Sequence, residues 1–288
     1  MTASNGNRAS GGLWCVLAAA LLLAGCSNPP YPRGSMDELY PGSVRPQLHN
    51  ITVPGRTLRL AEMPGPGSTP IVFVHGSPGG WQAWAHYLDA PELSAYGPRI
   101  ALDRPGFGGS GPGDVMLDLR RQADLLAAAI PAGAPAILVG HSLGGPLIAW
   151  MAIDHPDKVC GGVMVAGSVA PELEAPRWYN RLADTLLAGW VVPKEMMWSN
   201  REMLVLKSEL QRLDAEWPRL KRPLVVIQGL DDSLVDPGTA DYVEARAPKP
   251  WIRVLRKPGM DHFLLWKHPE TVLQEILSLP CGPVAAKP

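Results

Sequence analysis

The sequence predicts an α/β fold, a mainly parallel sheet with helices on both faces. Three observations point there. Short apolar or alternating runs, among them Ile71–Val74, Ala136–Val139, Leu224–Ile227 and Trp251–Leu255, are separated by segments with helical spacing, the order from which parallel sheets are built. Gly140-His141-Ser142-Leu143-Gly144 stands between one such run and the helix-like Pro146–Trp150, so it reads as a sharp strand-to-helix turn. The chain has 288 residues, 46% of them hydrophobic, enough for one sizeable core.

The N-terminus stands apart from that core. Arg8 precedes an apolar stretch, Leu13 to Ala24, that is too short to cross a bilayer of about 30 Å as a helix and reads as a secretory segment over residues 1–25. Leu23-Ala24-Gly25-Cys26 resembles a bacterial lipobox. That resemblance implies acylation of Cys26 and a membrane-anchored exported lipoprotein facing the periplasm, with Ser27 matching the outer-membrane pattern better than the inner; a plain secretory signal or an uncleaved anchor is the alternative. Residues 26–49, rich in Pro, Ser and Gly without apolar periodicity, read as a tether reaching roughly 25 Å.

The remaining elements follow in order. Ile51, Val53, Leu58 and Leu60 alternate in a strand pair over Gln47 to Glu62, and further strands lie near Ile71, Arg99, Ala136, Val163, Val225 and Ile252. Asp114 to Ile130 has Val115, Leu119 and Ala123 spaced by four, with Leu126 and Ile130 continuing a helical stripe. Residues 171–220 turn helical without strands and carry Trp178, Trp190, Trp198 and Trp217, a cap inserted between core segments 50–170 and 221–280. Charge is nearly balanced, 26 Lys and Arg against 27 Asp and Glu, with no basic block to follow phosphates, so nucleic acid is not an expected partner. No H-E-x-x-H or C-x-x-C spacing appears, and neither a metal nor a cofactor is expected.

The turn at Ser142 needs small neighbours because its backbone is strained, and Gly140 and Gly144 supply them. Upstream, Ile71–Val74 runs into His75-Gly76-Ser77-Pro78-Gly79-Gly80, a glycine-rich turn whose N–H groups can face a developing oxyanion; the amides of Ser77 and Leu143 are the expected donors. Downstream, the strand ending at Gly229 precedes Asp231 and Asp232. Asp232 is the better-placed acid to orient an imidazole, and Asp231 suits a turn or cap. His262 follows the strand Trp251–Leu255, in the loop entering the last helix, and so completes the chain order Ser, Asp, His.

These segments, with Asp103-Arg-Pro-Gly-Phe-Gly-Gly-Ser110, resemble the α/β-hydrolase superfamily in its esterase/lipase-like branch over residues 50 to 280. The resemblance implies a serine hydrolase acting on a small-molecule carboxylic ester with an apolar acyl or alcohol part, with Ser142 as nucleophile, His262 as base and Asp232 as acid. It implies a structural role for Asp103 and leaves Glu172 as an alternative acid. The expected pocket residues are Trp81, Trp84, Trp178, Trp198 and Trp266. Epoxide hydrolases and haloalkane dehalogenases share the turn at His75 and the loop at Asp103 but use an aspartate nucleophile; proline iminopeptidases favour tryptophan where Leu143 stands. Perhydrolase, carbon–carbon hydrolase or aminopeptidase-like use of the same triad, and non-enzymatic binding at a surface, are the alternatives. Asp261 departs from the small residue usual beside the base and adds negative charge there. Family topology also brings Cys160, ahead of the strand Gly162 to Ala166, and Cys281, after the helix Pro269 to Leu279, to one sheet edge, where an oxidising compartment would pair them.

Overall fold

The computed structural model describes residues 34–42, 44–111, 113–175, 180 and 192–282; the expected signal segment, Cys26, Trp178 and Trp190 lie outside them. Eight strands form one sheet: β1 (Gln47–Val53), β2 (Arg56–Met63), β3 (Ile71–Val74), β4 (Arg99–Leu102), β5 (Ala136–His141), β6 (Val159–Val165), β7 (Leu224–Gly229) and β8 (Ile252–Lys257). Their order is β1-β2-β4-β3-β5-β6-β7-β8, with β2 antiparallel to β1 and β4 and all other pairs parallel. This is the α/β-hydrolase arrangement expected from the sequence.

Every residue of β3, β4, β5 and β7 is buried, which accounts for their unbroken apolar runs: a parallel strand covered on both faces has no solvent side. β1, at the edge, alternates between exposed and partly buried residues from His49 to Thr52 and ends on the buried Val53. From β3 the chain moves one way to β4, then crosses back over β3 to β5. The ends of β3 and β5 therefore flank a reversal in strand order, the place where open α/β sheets present a crevice.

The described helices are α1 (Met36–Leu39), α2 (Ala85–Leu88), α3 (Leu119–Ala127), α4 (Gly144–Asp154), α5 (Lys194–Asp214), α6 (Thr239–Arg246), α7 (Leu264–Lys267) and α8 (Pro269–Leu277). α3 starts later than its apolar spacing predicts. Asp118 caps it, accepting from the Arg121 N–H at 2.9 Å, so Asp114 to Leu117 remain outside the helix. α4 is buried from Gly144 through Ile153 and is apolar all round, as a helix beneath a sheet's active edge must be.

The tether expected through residue 49 ends earlier. Ser35 and Glu38 form a reciprocal capping box on α1, and the buried Tyr40 hydroxyl donates to Ala85 O at 2.7 Å, fixing this segment to the core. Cys160 and Cys281 are joined in a disulfide with Cα atoms 5.9 Å apart. Cys160 lies inside β6 rather than ahead of it, at the end of the sheet opposite Ser142.

Candidate active site

Ser142 follows β5 directly and has φ 52°, in the left-handed region that disfavours any side chain. Three backbone bonds hold it there: its N–H donates to Val165 O at 3.0 Å, and its carbonyl accepts from Gly145 N at 2.8 Å and Ser168 N at 3.3 Å. The flanking glycines are dictated by close approach. A Cβ on Gly140 would run into the Gly144 carbonyl, and one on Gly144 into the Val74 carbonyl.

The turn after β3 lies against this serine. A Cβ at Gly76 would stand 2.9 Å from Ser142 Cβ, so only glycine lets the two turns meet. Leu143 immediately precedes α4, which places its N–H at the same elbow.

His262 and Asp232 come together from loops after β8 and β7. His262 Nδ1 and Asp232 Oδ2 are 2.8 Å apart, both side chains buried. Asp232 Oδ1 accepts from Leu234 N at 2.9 Å and Val235 N at 2.8 Å, and Gln228 Nε2 donates to Oδ2 at 3.2 Å. Burial pushes this carboxyl up, but the His262 bond and the two loop amides outweigh it and hold Asp232 below the usual carboxylate range. Asp231 points to solvent, and Glu172 is an exposed partner of Arg246 at 3.5 Å; neither reaches His262.

His141, within the serine turn, supports the base from behind. Its Nε2–H donates to His262 O at 3.0 Å, and its ring lies between His262, at 4.8 Å, and Trp266, at 4.9 Å. Burial, reinforced by the charge His262 can carry, drives His141 down to about 3, so it stays neutral. Asp261 is drawn away from the base: it accepts from Phe263 N at 2.9 Å and from Lys267 Nζ at 2.5 Å.

The Asp103 loop is structural. Its carboxylate accepts from Trp81 N and Gly109 N, each at 2.7 Å, and burial pushes it up to about 6. Arg104, next in sequence, is fully buried and had no assigned role in the sequence reading. It pairs with Glu202 of α5 at 2.7 Å and 2.9 Å, and also donates to Gln122 Oε1 and Gly76 O, each at 3.0 Å. Glu202 was also missed, although a signal existed. It occupies an inward stripe, Trp198, Glu202, Leu206, Leu210, where a charge in i, i+4 register with apolar residues marks a buried partner.

Of the expected pocket tryptophans, Trp84 is corrected. It is fully buried against Phe73 at 5.1 Å and Tyr87 at 5.5 Å, in the core beneath the turn. Trp81 is anchored at the Asp103 carboxylate. Trp198 packs edge-on against Phe107 at 6.1 Å, in a small apolar cluster with Val115, and Phe107 in turn meets His75 at 5.7 Å. Trp266 is tied by its Nε1–H to Ala83 O at 2.8 Å, clamping His141. The surface hollow lined by Asp241, Glu244, Ala245, Lys249 and Ile252 contains none of these groups.

Comparison with known proteins gives the family. A chain described as a dihydrolipoyllysine-residue acetyltransferase component of an acetoin cleaving system, from Pseudomonas putida, is 26% identical over 81% of this chain and 69% of its own length. A pyrethroid hydrolase from Sphingobium wenxiniae is 35% identical over 36% of this chain and 39% of its own, and a pimeloyl-[acyl-carrier protein] methyl ester esterase from Neisseria meningitidis 42% identical over 31% and 33%. The alignments with these two esterase and hydrolase relatives thus span well under half of their length. Among solved structures, a putative aryl esterase from Burkholderia cenocepacia superposes with a TM-score of 0.63 at 25% identity, covering 80% of this chain and 96% of that one. Residues 71–275 match the model of the Alpha/beta hydrolase family, and the chain belongs to that family.

Proposed function

We propose that this hydrolase is a serine carboxylesterase. The observation that carries the reading is the buried Asp232–His262 pair, held at the sheet edge where Ser142 sits in a strained turn against Gly76. In the proposed cycle Ser142 Oγ attacks the ester carbonyl while His262 takes its proton, and the Ser77 and Leu143 amides receive the oxyanion. Asp232 orients His262 and stabilises the imidazolium. His262 then protonates the departing alcohol, and the same base activates water to release the acid.

The substrate proposed has an apolar acyl or alcohol part. Phe107, Val115 and Trp198 form a buried apolar cluster that reaches His75 of the oxyanion turn, while Arg104 and Glu202 neutralise one another. The esterase names of several relatives fit this reading. We also place the protein as a lipoprotein anchored through Cys26 and facing the periplasm, a setting with which a Cys160–Cys281 disulfide is consistent.

Hydrolysis of p-nitrophenyl esters from acetyl to palmitoyl, with Ser142→Ala beside the wild type, tests the activity. Turnover abolished by the substitution supports the esterase, and the chain-length optimum sizes the pocket; equal rates in both proteins would refute it. Radiolabelled palmitate incorporated by wild type and lost in Cys26→Ser would support the anchor.

A further inference from the structure

The cap helix α5 reaches the turn after β3 through the Glu202 side chain. Glu202 Oε2 accepts from the Ser77 hydroxyl at 2.5 Å. The same carboxylate receives both terminal nitrogens of Arg104, and Arg104 Nη2 also donates to the Gly76 carbonyl at 3.0 Å. The two residues are 0% and 1% exposed, so these bonds act without competition from water. His75 Nδ1–H adds a second donor to Gly76 O at 2.7 Å; burial drives His75 well below its ordinary range, and its Nε2 accepts from Arg104 N at 3.0 Å.

These contacts bear on one peptide plane. The Gly76–Ser77 bond is trans, so its C=O and N–H point in opposite directions. A carbonyl pinned on the Arg104 side leaves the Ser77 N–H facing the other way, and Gly76 itself lies against Ser142. Were the plane to rotate, a carbonyl oxygen would take the place of the donor and repel a developing oxyanion.

We infer that Glu202 is a positioning residue for the oxyanion turn: through Arg104 and the Ser77 hydroxyl, the cap fixes the direction of the Ser77 amide. The cap is then a part of the machinery it covers, and a cap lifted from the core would unmake the hole it shields. The inference rests on the reading of Ser142 as the nucleophile.

The test uses Glu202→Gln and the double variant Arg104→Met/Glu202→Met. The double variant answers the concern that a single substitution strands a buried charge, because a buried ion pair exchanged for apolar side chains of similar volume is often neutral in stability. Each protein is assayed for kcat and KM on a p-nitrophenyl ester, for thermal midpoint, and for inhibition by a trifluoromethyl ketone. Ser142 Oγ adds to that ketone, its proton passes to His262, and the former carbonyl oxygen becomes an oxyanion in the hole.

Complete loss of an oxyanion donor lowers rate by about 10²–10³-fold, and His75 still holds Gly76 O here, so the expected fall in kcat is about 10- to 100-fold in the double variant and about 10-fold in Glu202→Gln. KM stays within about twofold, the ketone Ki weakens in parallel with kcat, and the double variant keeps the wild-type midpoint within a few degrees. A double variant with wild-type kcat and ketone Ki would overturn the inference, as would a loss confined to KM. A faster Glu202→Gln would do so too, since an unpaired Arg104 acting only through its charge favours an oxyanion. If wild type itself neither turns over esters nor binds the ketone, the esterase reading fails; an active wild type with insensitive variants sinks this inference alone.

Discussion

Asp232→Asn exchanges one atom, and the surrounding bonds decide what that atom does. Asp232 Oδ1 accepts two backbone N–H groups, from Leu234 and Val235, while Oδ2 faces His262 Nδ1. An asparagine keeps its oxygen at the amides, because the opposite orientation would set an NH2 against two buried donors at about 1–3 kcal/mol for each one left unsatisfied. Its nitrogen therefore faces His262 Nδ1. A donor there obliges Nδ1 to accept and moves the imidazole proton to Nε2, the atom that has to receive the Ser142 proton. The variant also loses the carboxylate charge beside the imidazolium, worth about 4 kcal/mol at 4 Å for an effective dielectric of 20. With the tautomer change, a loss of about 10⁴-fold in kcat/KM is expected, equivalent to about 5.4 kcal/mol of transition-state stabilisation. The assay is kcat/KM on p-nitrophenyl acetate, with thermal midpoint as the check on folding and Asp231→Asn, at the exposed neighbour, expected to retain wild-type rate. A properly folded Asp232→Asn that loses less than about tenfold would refute the assignment of Asp232 as the residue that orients the base.

Two further outcomes follow from the geometry. Gly76→Ala puts a Cβ 2.9 Å from Ser142 Cβ, well inside the 3.5–4.0 Å optimum for carbon pairs, so the turn must move; kcat should fall about 10²-fold with about 1–3 kcal/mol of stability, whereas Gly111→Ala, with open space at its Cβ, should change neither. Stability should be sensitive to acid through His141. Its folded value of about 3 lies below the ordinary 6.5, so the unfolded chain binds the extra proton, and the contribution is complete above pH 6.5 and lost progressively as pH falls towards 3. His141→Gln should therefore show a slope of unfolding free energy against pH shallower by about 1.2 kcal/mol per unit between pH 6 and 5 in urea titrations; parallel slopes would refute it. Asp103, pushed from 3.8 up to about 6, works in the opposite sense over the same range, but it is common to both proteins and cancels.

The sequence made the sheet legible because a strand buried on both faces is apolar at every position, and it marked the serine turn because two backbones approach too closely for any Cβ at Gly140 and Gly144. Asp232 and His262 could be proposed from their places after strand ends. What periodicity conveys is a face, and a face has no partner until the chain folds. Trp84 was assigned to the pocket from its nearness in sequence to the turn, yet the short helical turn carrying it points the ring at Phe73. Tyr40, just ahead of Pro41 and Gly42, had no repeat to advertise the contact with Ala85. Glu202 was hidden differently: its place in the stripe foretold burial, but its partner Arg104 lies in a loop about a hundred residues away, and no local pattern links them.

The charges around His262 bear on the proposed chemistry in one more way. Asp261 beside it would add a second negative charge to the base, but Lys267 and the Phe263 amide engage that carboxylate. His141 is neutral, and Arg104 is matched by Glu202. Among the described groups around the base, Asp232 is thus the charge aimed at the imidazole without a cation of its own. Against a neutral imidazole this carboxylate contributes a hydrogen bond; against an imidazolium it contributes a hydrogen bond and a full Coulomb attraction in a buried setting. The stabilisation therefore grows as the proton leaves Ser142, and an interaction stronger in the transition state than in the ground state is the kind that raises kcat.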